Sequence, residues 1–157
     1  MAVVGVLIVG VWLYVADRYR FGVDNQDITC LPGRHYLIDR YDRTPPERGQ
    51  IYAFRSKAIP PYYKEGTIMA KILIGLPGDR VRIENDKVYV NGKEVAEGFV
   101  HAETLGKKSR DFWGKGVLGP NQYWFIGTNP RSFDSRYWGS IGWERVIGKA
   151  HHVEWMD

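Results

Sequence analysis

Cysteine is almost absent from this chain: Cys30 is the only one among 157 residues. That excludes an intramolecular disulfide framework and a multi-cysteine zinc site. Charge of one sign is scarce too. The net charge is +4, with lysine and arginine scattered along the chain. A duplex-binding face needs clustered basic residues, so nucleic acid is not an expected partner. No uncharged run reaches the ~20 residues of a bilayer-crossing helix. No phosphate-cradling glycine loop, internal repeat or low-complexity tract occurs. Adjacent His151 and His152 would point to opposite faces of a strand, which is poor for joint metal ligation. No cofactor or metal is expected.

What is present suits one domain of mainly β structure. Apolar residues make up 44% and charged residues 25%, an ordinary globular balance that argues against disorder. Eighteen Gly, eight Pro and 14% aromatics favour turns and aromatic-rich strands over a helical bundle. Alternation predicts strands over 34–41, 50–55, 80–84 and 123–127, a more continuously apolar strand over 68–74, and a last strand over 150–155. The Asn91-Gly92 pair between 87–90 and 93–95 predicts a hairpin. The polar, Gly-rich stretch 97–120 reads as a long loop or flap. The consecutive prolines in 59–63 also read as a loop, since they cannot donate to a sheet.

The N-terminal run 2–16, AVVGVLIVGVWLYVA, ends at Asp17-Arg18. Trp12, Tyr14, Tyr19 and Arg20 would extend it through the interfacial zone, so residues 1–20 are expected to form a single transmembrane anchor in contact with lipid. Residues 21–157 then form the β domain. A buried core helix is the alternative. A cleaved signal peptide fits less well, because no basic region precedes the run and Tyr14-Val15-Ala16 is a poor cleavage site. Arg18 and Arg20 by themselves would keep the domain cytoplasmic.

Three segments could carry chemistry. Lys71 lies in the apolar strand Met69-Ala70-Lys71-Ile72-Leu73-Ile74, sharing a face with Met69 and Leu73. Burying a lysine disfavours its charged form and makes the amine a usable base, whereas on an edge strand it would be solvated. Cys30, in the turn Thr29-Cys30-Leu31-Pro32-Gly33, is either a small buried hydrophobe or, as the turn favours, an exposed thiol that a proton acceptor could turn into a nucleophile. The third segment, 127–139, packs hydroxyls, an amide, a carboxylate and two arginines together. Asp134 and Arg136 could pair there and fix a loop presenting Ser132 or Ser135.

In this order the segments resemble the signal peptidase I superfamily of membrane-bound serine-lysine peptidases, and within it the TraF-like peptidases of conjugative transfer. Lys71-Ile-Leu-Ile-Gly75-Leu-Pro-Gly-Asp79 is similar to the lysine motif K-x-x-x-G-L-P-G-D. Ser132-Phe-Asp134-Ser-Arg136-Tyr-Trp-Gly139 is similar to S-x-D-S-R-Y-W-G, and Arg48-Gly49-Gln50-Ile51-Tyr52-Ala53-Phe54 to R-G-D-[IV]-V-x-F. The resemblance spans about residues 27 to 155. It implies a LexA/signal-peptidase-type β fold and a dyad of Cys30 and Lys71, with cysteine where the family has serine. Ser132 would orient the amine, and Asp134 and Arg136 would hold the loop. Ile28 stands where many signal peptidases have a hydroxyl that helps hold the oxyanion, so that task would pass to the Cys30 N–H and Thr29. The segment 127–132 is one residue shorter than the signal peptidase pattern, with Thr128 at its usual aspartate. The implied activity is cleavage, and possible cyclisation, of a pilin precursor or other exported peptide. The implied location is the bacterial inner membrane, with the catalytic domain in the periplasm. The rival expectation is an inactive membrane-tethered binding or pilus-assembly module.

Overall fold

The computed structural model describes residues 2–25 and 29–156. The first element is the helix α1 (Ala2–Arg18). It is 17 residues long, about 26 Å at the α-helical rise. Its side chains from Val3 to Asp17 are all exposed, so it projects from the domain instead of packing on it. Among the described residues no helix is long and apolar enough to cross a membrane. The end of α1 is tied down. Arg18 donates to the Asp39 carboxylate at 2.6 and 3.1 Å, and Arg40 donates to the Asp17 carbonyl at 2.7 Å.

The rest is mainly β. The strands are β1 (Tyr19–Val23), β2 (His35–Asp39), β3 (Ile51–Arg55), β4 (Ile68–Gly75), β5 (Arg80–Glu84), β6 (Lys87–Val90), β7 (Lys93–Glu97), β8 (Gly114–Val117), β9 (Trp124–Ile126) and β10 (Val146–His152). The four-residue helix α2 (Ser135–Trp138) lies between β9 and β10. A six-stranded sheet runs β1-β2-β10-β3-β4-β9, and a four-stranded sheet runs β7-β6-β5-β8. All the pairings are antiparallel.

Alternation explains the core. Phe54, Leu73 and Phe125 are fully buried on one face of the large sheet with Tyr52 and Ile141. Leu31, Tyr36, Ile38, Ala53 and Ala150 form a second cluster, and Val81, Ile83, Val88, Val90 and Trp124 anchor a third beneath the small sheet. The turn after the lysine strand is held by Asp79. Its carboxylate accepts from the Leu76 N–H at 2.6 Å, the Asn91 amide at 2.7 Å and Arg48 at 2.7 Å. Burial pushes the Asp79 carboxyl up, but these donors outweigh it and hold it below the usual carboxylate range. Gly75 is small by necessity: a Cβ there would lie 2.7 Å from Trp124 Cβ.

Several boundaries differ from the sequence pattern. The stretch 97–120 is not one open loop. It contains β8 and two one-turn helices, Glu103–Leu105 and Ser109–Phe112. Phe99, Ala102 and Leu118 fix it to the core, while all four residues of β8 are exposed and hold their place by backbone pairing with β5. The last strand runs from Val146, four residues earlier than expected, through an irregularity at Gly148 where the Asp39 backbone passes close. β1 begins directly after α1, on Tyr19 and Arg20, which the sequence pattern assigns to the anchor.

Candidate active site

Lys71 is placed by sheet register. In β4 it faces Tyr52 of β3, and on the other side Ile72 faces Ile126 and Leu73 faces Phe125. The paired register ends at Ile126, and Gly127 follows it directly. The lysine is 6% exposed, within the apolar face that carries Met69 and Leu73. Among the described residues no hydrogen bond or ion pair engages its ammonium. The desolvated alternative, not the solvated one, is the one the fold adopts.

Gly127 has no side chain, and two other groups occupy the space where one would lie. A Cβ on Gly127 would sit 2.6 Å from Ser132 Cβ, closer still to Ser132 Oγ, and 2.8 Å from the Cys30 carbonyl oxygen. Ser132 and the Cys30 main chain therefore meet at Gly127, next to the end of β9. Ser132 is fully buried, and its Oγ has no hydrogen-bond partner among the described residues.

Cys30 opens the expected bend, closed by Gly33 at φ 77° and by the Tyr36 hydroxyl donating to the Pro32 carbonyl. The expected exposure is overturned, because Cys30 is 8% exposed. Its carbonyl is held from far away in sequence. Thr128 crosses to donate to the Cys30 carbonyl from its N–H at 2.9 Å and from its Oγ1 at 3.3 Å. The Asn129 amide reaches the Thr29 carbonyl at 3.5 Å. Thr29 thus sits beside Cys30, half-buried, with its carbonyl engaged. Ile28 lies outside the described residues.

The pairing expected between Asp134 and Arg136 is present, at 2.9 Å and almost wholly buried. Arg136 also donates to the carbonyls of Glu97 at 2.7 Å, Gly98 at 3.0 Å and Ser132 at 3.0 Å. Asp134 caps α2 by accepting from the Arg136 N–H at 3.2 Å and holds the Gly127 N–H at 3.1 Å. Burial pushes the Arg136 guanidinium down, but the Asp134 hydrogen bond and charge outweigh it, with smaller contributions from Tyr137 and the nearby Cys30 thiol, so its pKa is raised. Ser135, the other hydroxyl singled out, accepts from the Phe125 N–H at 2.9 Å and belongs to the scaffold.

Gly127, Thr128 and Asn129 carry contacts that the sequence pattern did not assign. The Asn129-Pro130 turn is locally legible, since the Asn129 side chain accepts from the Arg131 N–H at 2.8 Å. The crossing to Cys30 spans 98 residues and leaves no local signal. His101 meets the Arg131 carbonyl at 2.7 Å, and His35 stacks on Phe21. Among the described residues no group of His, Cys, Asp or Glu could hold a metal ion.

Comparison with known proteins follows this geometry. Residues 1–155 match the family described as signal peptidase, peptidase S26. A probable signal peptidase I-2 from Synechocystis sp. is 29% identical over 153 residues, covering 96% of this chain and 68% of that one. The signal peptidase I of Bacillus caldolyticus is 33% identical over 155 residues, covering 91% of this chain and 81% of that one. The crystal structure of a signal peptidase I from Enterococcus faecalis aligns with a TM-score of 0.43 at 29% identity, over 68% of this chain and 97% of that one. Matched over nearly its whole length, the chain belongs to the signal peptidase family, peptidase S26, and with it to the signal peptidase I type of endopeptidase.

Proposed function

We propose that the chain cleaves exported peptides with Cys30 as nucleophile and Lys71 as general base. The observation that carries this is the buried Lys71, unpartnered among the described residues, beside Ile72, whose partner Ile126 leads directly into Gly127, where Ser132 and the Cys30 carbonyl are packed. The unprotonated Lys71 amine takes the proton from the Cys30 thiol. The sulfur attacks the scissile carbonyl, whose oxyanion is met by the Cys30 N–H and Thr29. The Lys71 ammonium returns the proton to the leaving amine, leaving a thioester on Cys30. Water, giving its proton to Lys71, releases the acid. A peptide amine in place of water would instead form a new peptide bond. Ser132 orients the lysine amine, and the Asp134–Arg136 pair keeps the loop in place.

The narrower substrate we propose is a pilin precursor of conjugative transfer, after the TraF-like order Cys30-Leu31-Pro32-Gly33. We further propose that α1 anchors the chain in the inner membrane, with the β domain in the periplasm. In its support, residues 3–16 of α1 are uncharged and exposed, as the side chains of a lipid-facing helix are.

Mass spectrometry of a co-expressed pilin precursor tests this. The wild-type chain should trim it, and a further loss of one water would report cyclisation. Lys71→Ala and Cys30→Ala should leave it uncut while remaining folded, and Cys30→Ser should keep measurable activity. Wild-type turnover by Lys71→Ala would refute the dyad. Cleavage of another exported precursor with the pilin untouched would remove only the narrower substrate.

A further inference from the structure

We propose that Thr128 is a positioning residue for Cys30, a role that rests on the Cys30 nucleophile put forward above. Thr128 places two donors on one acceptor. Its N–H and its Oγ1 both reach the Cys30 carbonyl oxygen, at 2.9 and 3.3 Å. A carbonyl oxygen has two lone pairs and accepts both. One bond would leave the peptide free to pivot about it, and the second fixes its plane. β-branching narrows the choice of χ1 for the threonine, so the hydroxyl is held in place by its own backbone.

The position in the chain makes this more than a loop contact. Thr128 directly follows Gly127, whose N–H is held by buried Asp134 at 3.1 Å. The segment leaving β9 therefore starts from Ile126, paired with the neighbour of Lys71, and through Thr128 grips the peptide that carries the thiol. Displacements of about 1 Å at reacting groups can cost about a hundredfold in rate. Removing the hydroxyl leaves the N–H bond intact, so the fold survives while the peptide plane loosens.

The test compares Thr128→Val, which keeps the shape and loses the hydroxyl, with Thr128→Ser, which restores it. Purified full-length chain in detergent is assayed on purified pilin precursor, and iodoacetamide alkylation of Cys30 is followed against pH. Cys30 is the only thiol, so alkylation reports it alone. Thr128→Val should lower kcat about three- to tenfold, the worth of one hydrogen bond, with KM within about twofold. Its alkylation profile should move to higher pH, and Thr128→Ser should return both readouts to wild type. A Thr128→Val chain with wild-type kcat and alkylation overturns the proposal, as does a Thr128→Ser chain no better than Thr128→Val. A parallel fall in melting temperature with kcat and KM both altered also overturns it, since that marks scaffolding only. Turnover by Cys30→Ala would remove the nucleophile and this role together; an inactive Cys30→Ala beside an unaltered Thr128→Val removes this role alone.

Discussion

Two basic side chains are buried in this domain, and they are treated in opposite ways. Arg136 is 2% exposed, and its guanidinium is met on every side by Asp134 and by the carbonyls of Glu97, Gly98 and Ser132. Lys71 is 6% exposed, and none of the described residues engages its ammonium. Burying a charge is costly unless it is paired and hydrogen-bonded. The arginine meets that requirement and works as a fastener. The lysine has no such partners among the described residues, which is in keeping with the base role proposed for it.

The contrast can be broken or sharpened by substitution. The largest effect is expected from Asp134→Ala, which strands the guanidinium in the core. It should cost about 3–5 kcal/mol in urea denaturation. Gly127→Ala should follow, because a Cβ there meets Ser132 and the Cys30 carbonyl. Overpacking of this kind costs about 1–3 kcal/mol, and precursor cleavage should fall with it. Lys71→Met should abolish cleavage yet leave stability unchanged or raised by about 1 kcal/mol, since it removes a buried polar group without orphaning a partner. If its urea midpoint fell as far as that of Asp134→Ala, the two basic side chains would be the same kind of group. The smallest effect belongs to Asp79. Its folded carboxyl lies below the usual range, so the stability it contributes is full above about pH 4 and is lost as the pH falls below that. Asp79→Asn should lower the neutral plateau of a melting-temperature profile and flatten its acid limb, because the contribution that the carboxylate makes above about pH 4 is then absent at every pH.

Much of this was written locally in the chain. The alternation around Lys71 marked its strand and its face, the Asn91-Gly92 pair marked a hairpin, and Asp134 two residues before Arg136 marked an ion pair. Three features were not legible. Cys30 is buried and its carbonyl is held by Thr128, 98 residues away, and a turn sequence carries no sign of either. The strand Gly114–Val117 has no apolar side chain turned to the core and exists through backbone pairing alone. The strand Tyr19–Val23 follows the helix with no turn residue between them, and it is too short to show a period of its own. In each case the deciding contact is long-range, and periodicity reports only what a segment's own side chains prefer.

The two carbonyls that Arg136 grips, Glu97 and Gly98, lie at the end of the small sheet, whereas its other partners belong to the loop beside the lysine. One side chain therefore rivets two halves of the molecule at a single point. A molecule whose smaller half had peeled away would lose two of the carbonyls that hold this guanidinium, leaving it only the partners on its own loop.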